Sequence, residues 1–82
     1  MMSRRLKELI EKDIKKSLGA KLKERRQELG MTQKQVADVL GVAQPVYQRF
    51  EKGTFECSYA QLTELCKLFD ISADYLLGLK DY

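Results

Sequence analysis

The sequence predicts an all-α fold: a compact set of five short helices with an additional helical extension at the N-terminus. Apolar residues recur at the three- and four-residue spacing of amphipathic helices along nearly the whole chain. No clear period-two run and no Asn-Gly turn indicates a strand. Glycines and Ser or Thr residues separate the apolar stretches, where they can end one helix and cap the next. With 82 residues, the chain forms one small domain.

The N-terminal part is a basic amphipathic segment. Its apolar stripe consists of Leu6, Leu9, Ile10, Ile14 and Leu18, extended by Leu22 and Leu29. Gly19 interrupts the stripe, and either one long helix or two joined helices tolerates it at a cost of about 1 kcal/mol. Ser17 can cap a second helix, which favours two. We therefore divide the chain into an extension at residues 1–16, a domain at 17–78 and a tail at 79–82.

Capping residues and glycines place the other helices. Thr32 provides the N-cap of a short helix that closes at Gly41, and a further helix ends at Gly53. Ser58 and Ser72 can cap the last two helices. In the last helix the residues predicted to be buried are Tyr75, Leu76 and Leu77.

Residues 32–52 contain two short helices joined by a glycine turn. Ala37 is small enough for two helices to cross closely, and Tyr47 and Phe50 are predicted to pack the second helix on the first. This is the layout of a helix-turn-helix, whose second helix enters the major groove of DNA. A generic pair of packed helices would show the same apolar spacing, so the pattern alone leaves both interpretations open.

Charge is distributed unevenly along the chain. Residues 1–34 contain eleven Lys or Arg against five Asp or Glu, which gives +6. The remaining residues contain four bases against seven acids, which gives −3 and a total of +3. The asymmetry suggests a polyanionic partner, with lysine-rich solvated helix faces as the alternative.

The composition argues against an enzyme or a metal protein. Histidine is absent, and Cys57 and Cys66 alone do not supply the four ligands of a zinc site. Both cysteines are predicted to be reduced, with Cys66 buried. No nucleophile motif or phosphate-binding glycine loop is present, so we expect no metal, cofactor or small-molecule ligand. The apolar runs are too short for a membrane span or signal peptide, and the predicted location is the cytoplasm.

Several motifs occur in a specific order between Leu18 and Gly78. They are Leu18, Gly19 and Arg26, then GMTQKQVADVLGV at 30–42, QRFEKG at 48–53 and ISADYLLG at 71–78. Together they resemble the Cro/CI-type helix-turn-helix family, also called the XRE family or lambda-repressor-like DNA-binding domains. The resemblance covers about three quarters of the chain. It implies a five-helix lambda-repressor-like domain with its helix-turn-helix at about 32–52.

The resemblance also implies which residues contact DNA. It gives Gln44, Pro45 and Arg49 as base-reading positions, and we add Val46 and Gln48 as further candidates. Gln can pair with adenine and Arg with guanine through two hydrogen bonds, each pair discriminating by roughly 1–3 kcal/mol. Pro45 and Val46 can offer only apolar contact to thymine methyls, and Gln48 is directed to a flanking phosphate or to solvent.

Phosphate contacts and one structural ion pair complete the expected site. The phosphate candidates are Gln33, Lys34, Lys52 and Thr54. The resemblance implies that Gln33 also braces Gln44, and that Arg26 and Glu51 form a partly buried salt bridge that orients the reading helix. Arg25 departs from the family, which usually has an apolar residue there, and we expect its stem to cover the core edge while its charged end stays solvated.

Pro45 is predicted to mark the start of the reading helix. Ala43 stands where the family commonly has a capping Ser or Thr, so the cap oxygen is missing. Because a residue before proline avoids helical angles, Gln44 is predicted to be the last non-helical residue. Pro45 would then occupy the first helical position, where its missing amide costs nothing.

The extension has three interpretations: a helix packed on its own domain, a dimer-forming helix, or a basic arm along DNA. The apolar stripe favours the first two, because an exposed stripe must be covered by something. For the whole chain we expect a transcriptional regulator, specifically a repressor that binds a palindromic double-stranded operator as a homodimer. The alternative is an antitoxin-type module that binds a protein through Leu6, Leu9, Ile10 and Ile14.

Overall fold

The computed structural model describes residues 3–81 and confirms the predicted all-α fold. Its five helices are α1 (Arg4–Glu28), α2 (Gln33–Leu40), α3 (Gln44–Lys52), α4 (Tyr59–Phe69) and α5 (Ala73–Leu76). No strand occurs in this range. The helix-turn-helix consists of α2 and α3, and α1 packs against α3 and α5.

Helix α1 is continuous, so the predicted second start at Ser17 is wrong. The helix begins after Ser3, whose side chain accepts a hydrogen bond from the Leu6 amide, and it runs for 25 residues. Gly19 lies inside this helix and is buried. The N-terminal extension and the first helix of the domain are therefore a single element.

Gly19 serves close packing and does not break the chain. A Cβ atom at this position would lie 2.4 Å from the carbonyl oxygen of Glu51 and 2.5 Å from that of Phe50. Both carbonyls belong to the last turn of α3, so only glycine permits this crossing distance between α1 and α3. Gly53 ends α3 in the left-handed conformation, and a Cβ atom added there would likewise lie too close to the backbone of Lys16.

The turn between α2 and α3 has the predicted chemistry. Thr32 and Gln35 form a capping box at the start of α2, which satisfies two amides that the helix itself cannot. Gly41 ends α2 with φ of 71°, a conformation that favours glycine. The chain then turns within a few residues and α3 begins.

Pro45 is the second residue of α3, so its predicted place at the first helical position is wrong by one. Ala43 is the N-cap, with extended angles and no side-chain cap, and Gln44 is already helical. The cost of the shift is small because the first four amides of a helix have no intrahelical acceptor in any case. The Val46 amide bonds to the Ala43 carbonyl oxygen at 3.0 Å.

The missing cap allows a stabilising substitution. We expect Ala43→Ser to raise the free energy of unfolding by about 0.5–1 kcal/mol, since a serine hydroxyl can accept from the Val46 amide. Thermal and urea denaturation measure the change. Ala60→Ser, at an exposed position inside α4, is the matched control and should give no gain. Equal effects of the two substitutions would contradict the capping argument.

The core joins all five helices. Its buried residues are Leu18, Leu22, Val36, Ala37, Tyr47, Phe50, Leu65, Phe69 and Leu76. Tyr47 and Phe50, predicted as core residues, meet edge to face with ring centroids 6.2 Å apart. Leu77 was expected to bury and does not: it is 38% exposed. It belongs to the turn just after α5, where the chain leaves the core.

Two basic residues of α1 hold the ends of α4 and α5. Arg25 Nε donates to the Phe69 carbonyl oxygen at 2.7 Å, and Lys21 Nζ donates to that of Tyr75 at 2.8 Å. The expectation that the charged end of Arg25 stays solvated is therefore only partly right: Nε is bound, while Nη1 forms an exposed ion pair with Glu28 at 3.0 Å. Carbonyls at a helix C-terminus carry partial negative charge, which favours a cation there. Part of the N-terminal basic charge thus serves the fold.

The remaining expectations concern cysteines, metals and membranes. Cys57 and Cys66 are free thiols, both half-buried beside the core, and burial raises the pKa of each. Within residues 3–81 no three Cys, Asp or Glu side chains group as metal ligands. Across the same residues, no helix has the length and apolar character needed to cross a membrane.

Candidate DNA-binding surface

One side of α3 presents polar side chains away from the core. Residues four apart lie on one helix face, so Gln44, Gln48 and Lys52 form one row and Pro45 and Arg49 form the next. Pro45, Arg49 and Lys52 are exposed, while Gln44 and Gln48 are half-buried. The opposite side carries Tyr47 and Phe50 into the core. Gln48 thus lies among the predicted base-reading residues.

Val46 is the member of the predicted set that this face does not include. It lies one residue beyond Pro45, about 100° further around the helix. Its side chain is half-buried and packs against the core. Little of its apolar surface is left for a thymine methyl, and base contact by Val46 stays a prediction.

A chain of four side chains connects α1, α2 and α3. Arg26 binds Glu51 through two hydrogen bonds, of 2.6 Å from Nε and 3.1 Å from Nη2. Gln33 Nε2 donates to the same carboxylate at 3.0 Å, and Gln33 Oε1 accepts from Gln44 Nε2 at 2.8 Å. The first residue of α3 is therefore positioned, through Gln33, by a buried ion pair.

The surroundings of the Arg26–Glu51 ion pair favour the charged form of both side chains. The Arg26 and Glu51 side chains are only 12% and 3% exposed. Burial by itself would raise the pKa of Glu51, but hydrogen bonds from Arg26 and Gln33 outweigh burial and hold that pKa below its usual value. The Glu51 carboxylate in turn raises the pKa of Arg26. Both groups are charged at neutral pH.

Tyr47 places its hydroxyl beside this ion pair and fully inside the protein. The hydroxyl is buried and has no hydrogen-bond partner among the described residues. Burial, followed by the nearby Glu51 carboxylate, raises its pKa. Tyr47 is thus a core residue and does not reach the exposed face of α3.

Arg49 is held at the rim of α3 by an aromatic ring. Its guanidinium carbon lies 4.8 Å from the centroid of the Phe55 ring, a distance at which a cation is attracted to the ring face. Its donors are not used in any ion pair recorded among the described residues. A planar guanidinium presented in this way can meet a base edge with two parallel hydrogen bonds.

The predicted phosphate contacts surround this face. Gln33 and Lys34 lie at the N-terminus of α2, in a depression that Gln44 also lines. Lys34 forms an exposed ion pair with Asp38 at 3.2 Å, which solvent weakens. Thr54 follows the C-terminus of α3 and its hydroxyl donates to the Arg49 carbonyl oxygen at 3.3 Å.

Lys23 is a candidate that the sequence reasoning missed. It is exposed on α1 and lines a cleft with Gln33, Gln48 and Lys52. The signal available in sequence was weak, because Lys23 is one of many bases in a basic segment. Only the crossing of α1 over α3 shows that this lysine, unlike Lys21, lies next to α3.

Comparison with known proteins decides the family. The helix-turn-helix family profile matches residues 22–76, about two thirds of the chain. The chain belongs to the XRE family of helix-turn-helix DNA-binding regulators. This similarity points to a non-enzymatic DNA-binding regulator. The match includes α2, α3 and the Arg26–Glu51 pair.

Two relatives in Bacillus subtilis (strain 168) illustrate the similarity of this XRE-family chain. It is 39% identical over 62 residues to the HTH-type transcriptional regulator ImmR, an overlap of 76% of this chain and 49% of ImmR. It is 39% identical over 56 residues to the uncharacterized HTH-type transcriptional regulator YqaE, covering 68% of this chain and 48% of YqaE. The chain spans about half the length of the curated relatives it matches.

Proposed function

We propose that this chain is a sequence-specific transcriptional repressor that binds a palindromic operator as a homodimer, with α3 in the major groove. The observation that carries the proposal is the side-chain connection from Arg26 through Glu51 and Gln33 to Gln44. It orients the first residue of α3 before any DNA arrives, while Arg49 stays exposed. A reading residue held in place loses less side-chain freedom on binding. The cytoplasmic location expected from the sequence agrees with this role.

The hydrogen bonds of Gln44 leave the atoms that adenine needs. A glutamine amide has two N–H donors and a carbonyl acceptor. One donor is used by Gln33, so one donor and the carbonyl oxygen are left to pair with adenine N7 and N6. Arg49 can pair with guanine O6 and N7 in the same two-bond manner. Pro45, exposed between them, contributes apolar contact only.

Contacts to the phosphate groups of DNA would supply binding affinity that does not depend on the base sequence. Gln33 and Lys34 lie at the N-terminus of α2, where free amides and the helix dipole favour a phosphate. Lys52, Thr54 and Lys23 can hold the opposite strand at the other end of α3. Several such contacts make binding strongly salt-dependent, since each neutralised phosphate releases counterions. The contacts fix the register in which Gln44 and Arg49 meet the bases.

Selection of binding sites from random DNA tests the proposal. We expect a palindrome, and we expect Gln44→Ala and Arg49→Ala each to relax preference at one position per half-site, by roughly 1–3 kcal/mol. Lys52→Ala is the matched control: it should weaken binding to all sequences alike and reduce the salt dependence. If both reading variants keep the wild-type preference, α3 is not the reading helix.

A second candidate function follows from the apolar stripe at the N-terminus. Leu6, Leu9, Ile10 and Ile14 are 41–51% exposed in the monomer. The expectation that this stripe packs on its own domain is therefore wrong for the described residues. An antitoxin-type chain would use such a stripe for a protein partner, with DNA binding secondary. Selected DNA sites without any sequence preference would favour that alternative.

A further inference from the structure

We infer that four basic residues on one face of α1 bind the phosphate backbone of DNA beside the bases that α3 reads. This basic row consists of Arg5, Lys12, Lys16 and Lys23. The inference rests on the proposed function and extends its contact surface into the N-terminal half of α1. Residues 4–16 lie outside the range of the family profile, so the family match does not assign this contact.

The members of the basic row share one face of α1. They are separated by seven, four and seven residues, so their directions around the helix fall within about 40° of one another. Arg5 and Lys23 are eighteen residues apart, which is about five full turns. The row therefore runs straight along the helix for about 27 Å. All four residues are exposed.

Other basic residues of α1 have partners in the fold. Lys21, Arg25 and Arg26 donate hydrogen bonds to acceptors on other elements, and Arg4 pairs with Glu8 at 3.3 Å. No ion pair recorded within residues 3–81 contains a member of the basic row. Glu8 is the acidic residue of α1 nearest in direction, and it lies about 60° from the mean direction of the row. The row is therefore a continuous cationic strip.

Helix α3 lies between the basic row and the core. Leu18 and Leu22, which are buried in the core, point about 140° and 100° away from the row. Gly19 points about 40° from the row on the same side, and a Cβ atom there would touch the last turn of α3. At the end of α3, a Cβ atom on Gly53 would lie 2.8 Å from the Cα atom of Lys16. Around α1 the core comes first, α3 next and the basic row last, on the solvent side of α3.

The basic row continues the candidate DNA-binding surface. Lys23 lines one cleft with three residues of that surface, namely Gln33, Gln48 and Lys52. The carboxylate that also lines this cleft, Glu51, is paired with Arg26. From this cleft the row extends along α1 past the end of α3. Each DNA strand carries one phosphate per about 3.4 Å of helix axis, so a row of about 27 Å can meet several of them.

The salt dependence of DNA binding tests the inference. The full chain is titrated with a duplex that carries the site selected from random DNA, at about 50–200 mM salt. Lys12→Gln/Lys16→Gln removes two cations of the row, and glutamine is a good helix former. Each lost phosphate contact reduces the slope of log K against log salt by about 0.9, so we expect a reduction of about 1.8 per bound protomer. Over this range the wild type should then lose about tenfold more affinity per protomer than the variant.

Arg4→Gln/Lys7→Gln is the matched control. It removes the same charge from two exposed residues of the same half of α1, which point about 100° and 160° away from the row. We expect it to change the slope by less than half as much. Equal slopes for the two double variants would overturn the inference, because net charge alone would then explain the effect. Circular dichroism checks that both variants keep the helicity of the wild type.

Hydroxyl-radical footprinting locates the contact on DNA. The wild type should protect a stretch of backbone outside the base pairs assigned to Gln44 and Arg49, and only Lys12→Gln/Lys16→Gln should lose this protection. Base preference should not change in that variant, since phosphate contacts carry no sequence information. A wild type that reads bases without the additional protection overturns the inference alone. A wild type without base preference contradicts the proposed reading by α3.

Discussion

Gly19→Ala is expected to lower the free energy of unfolding by about 3 kcal/mol or more, because the added Cβ overpacks a backbone crossing. The methyl carbon would lie 2.4 Å and 2.5 Å from two carbonyl oxygens of α3. Backbone atoms cannot move aside as the end of a flexible side chain can, so α1 and α3 must separate. Urea denaturation monitored by circular dichroism measures the loss.

The contrary outcome for Gly19→Ala is well defined. In an open helix, alanine is favoured over glycine by about 1 kcal/mol. A variant with a higher midpoint would therefore show that α1 and α3 do not touch here. Ser17→Ala, at an exposed position two residues earlier, is the matched control. It should change stability by at most about 0.5 kcal/mol.

Arg26→Ala is expected to cost about 3–5 kcal/mol, because it leaves the buried carboxylate of Glu51 without its cation. Arg26 also donates to the Met31 carbonyl oxygen at 2.9 Å, and this bond is lost as well. Lys34→Ala removes an exposed ion pair with Asp38 and is the control, with an expected loss of no more than about 0.5 kcal/mol. Equal losses in the two variants would mean that the Arg26–Glu51 pair is not buried.

The cost of Arg26→Ala should depend on pH. In the wild-type chain the pKa of Glu51 is lowered, so its contribution to stability is complete above the ordinary carboxyl pKa and is lost as pH falls through the depressed value. In the variant, burial dominates and the neutral acid is preferred. The difference in stability between the two chains should therefore shrink on acidification from neutral pH. A difference that stays constant would contradict a charged, buried Glu51.

Local chemistry made much of the fold predictable from sequence. Thr32 and Gly41 define α2 by capping and by a left-handed turn, and both effects act within a few residues. The core assignments of Tyr47 and Phe50 follow from helical spacing. The prediction of a helix break at Ser17 was wrong because Gly19 is required by its contact with α3, which lies much further along the chain. No local pattern distinguishes a glycine that ends a helix from one that admits a neighbour.

The residues of the candidate site were predictable, and the family resemblance also implied the Arg26–Glu51 pair and the support of Gln44 by Gln33, but not the bond from Gln33 to Glu51. The residue types of Gln44 and Arg49 suit base edges, and a family resemblance assigned their positions. That Gln33 bonds Glu51 and Gln44 together depends on how α1, α2 and α3 meet in space. Arg25 was misjudged in part for the same reason: its acceptor, the Phe69 carbonyl, belongs to a distant helix end. The DNA contacts themselves stay predictions.

Helix α1 is continuous, so its apolar N-terminal end and its crossing with α3 belong to the same helix. A molecule that tilts the apolar end of α1 must therefore also shift the position of this crossing. Anything that binds the stripe more tightly in one orientation of α3 than in another is thereby an effector of DNA affinity. Thermodynamic linkage makes the effect mutual: DNA must change the affinity of the stripe for its partner by the same factor.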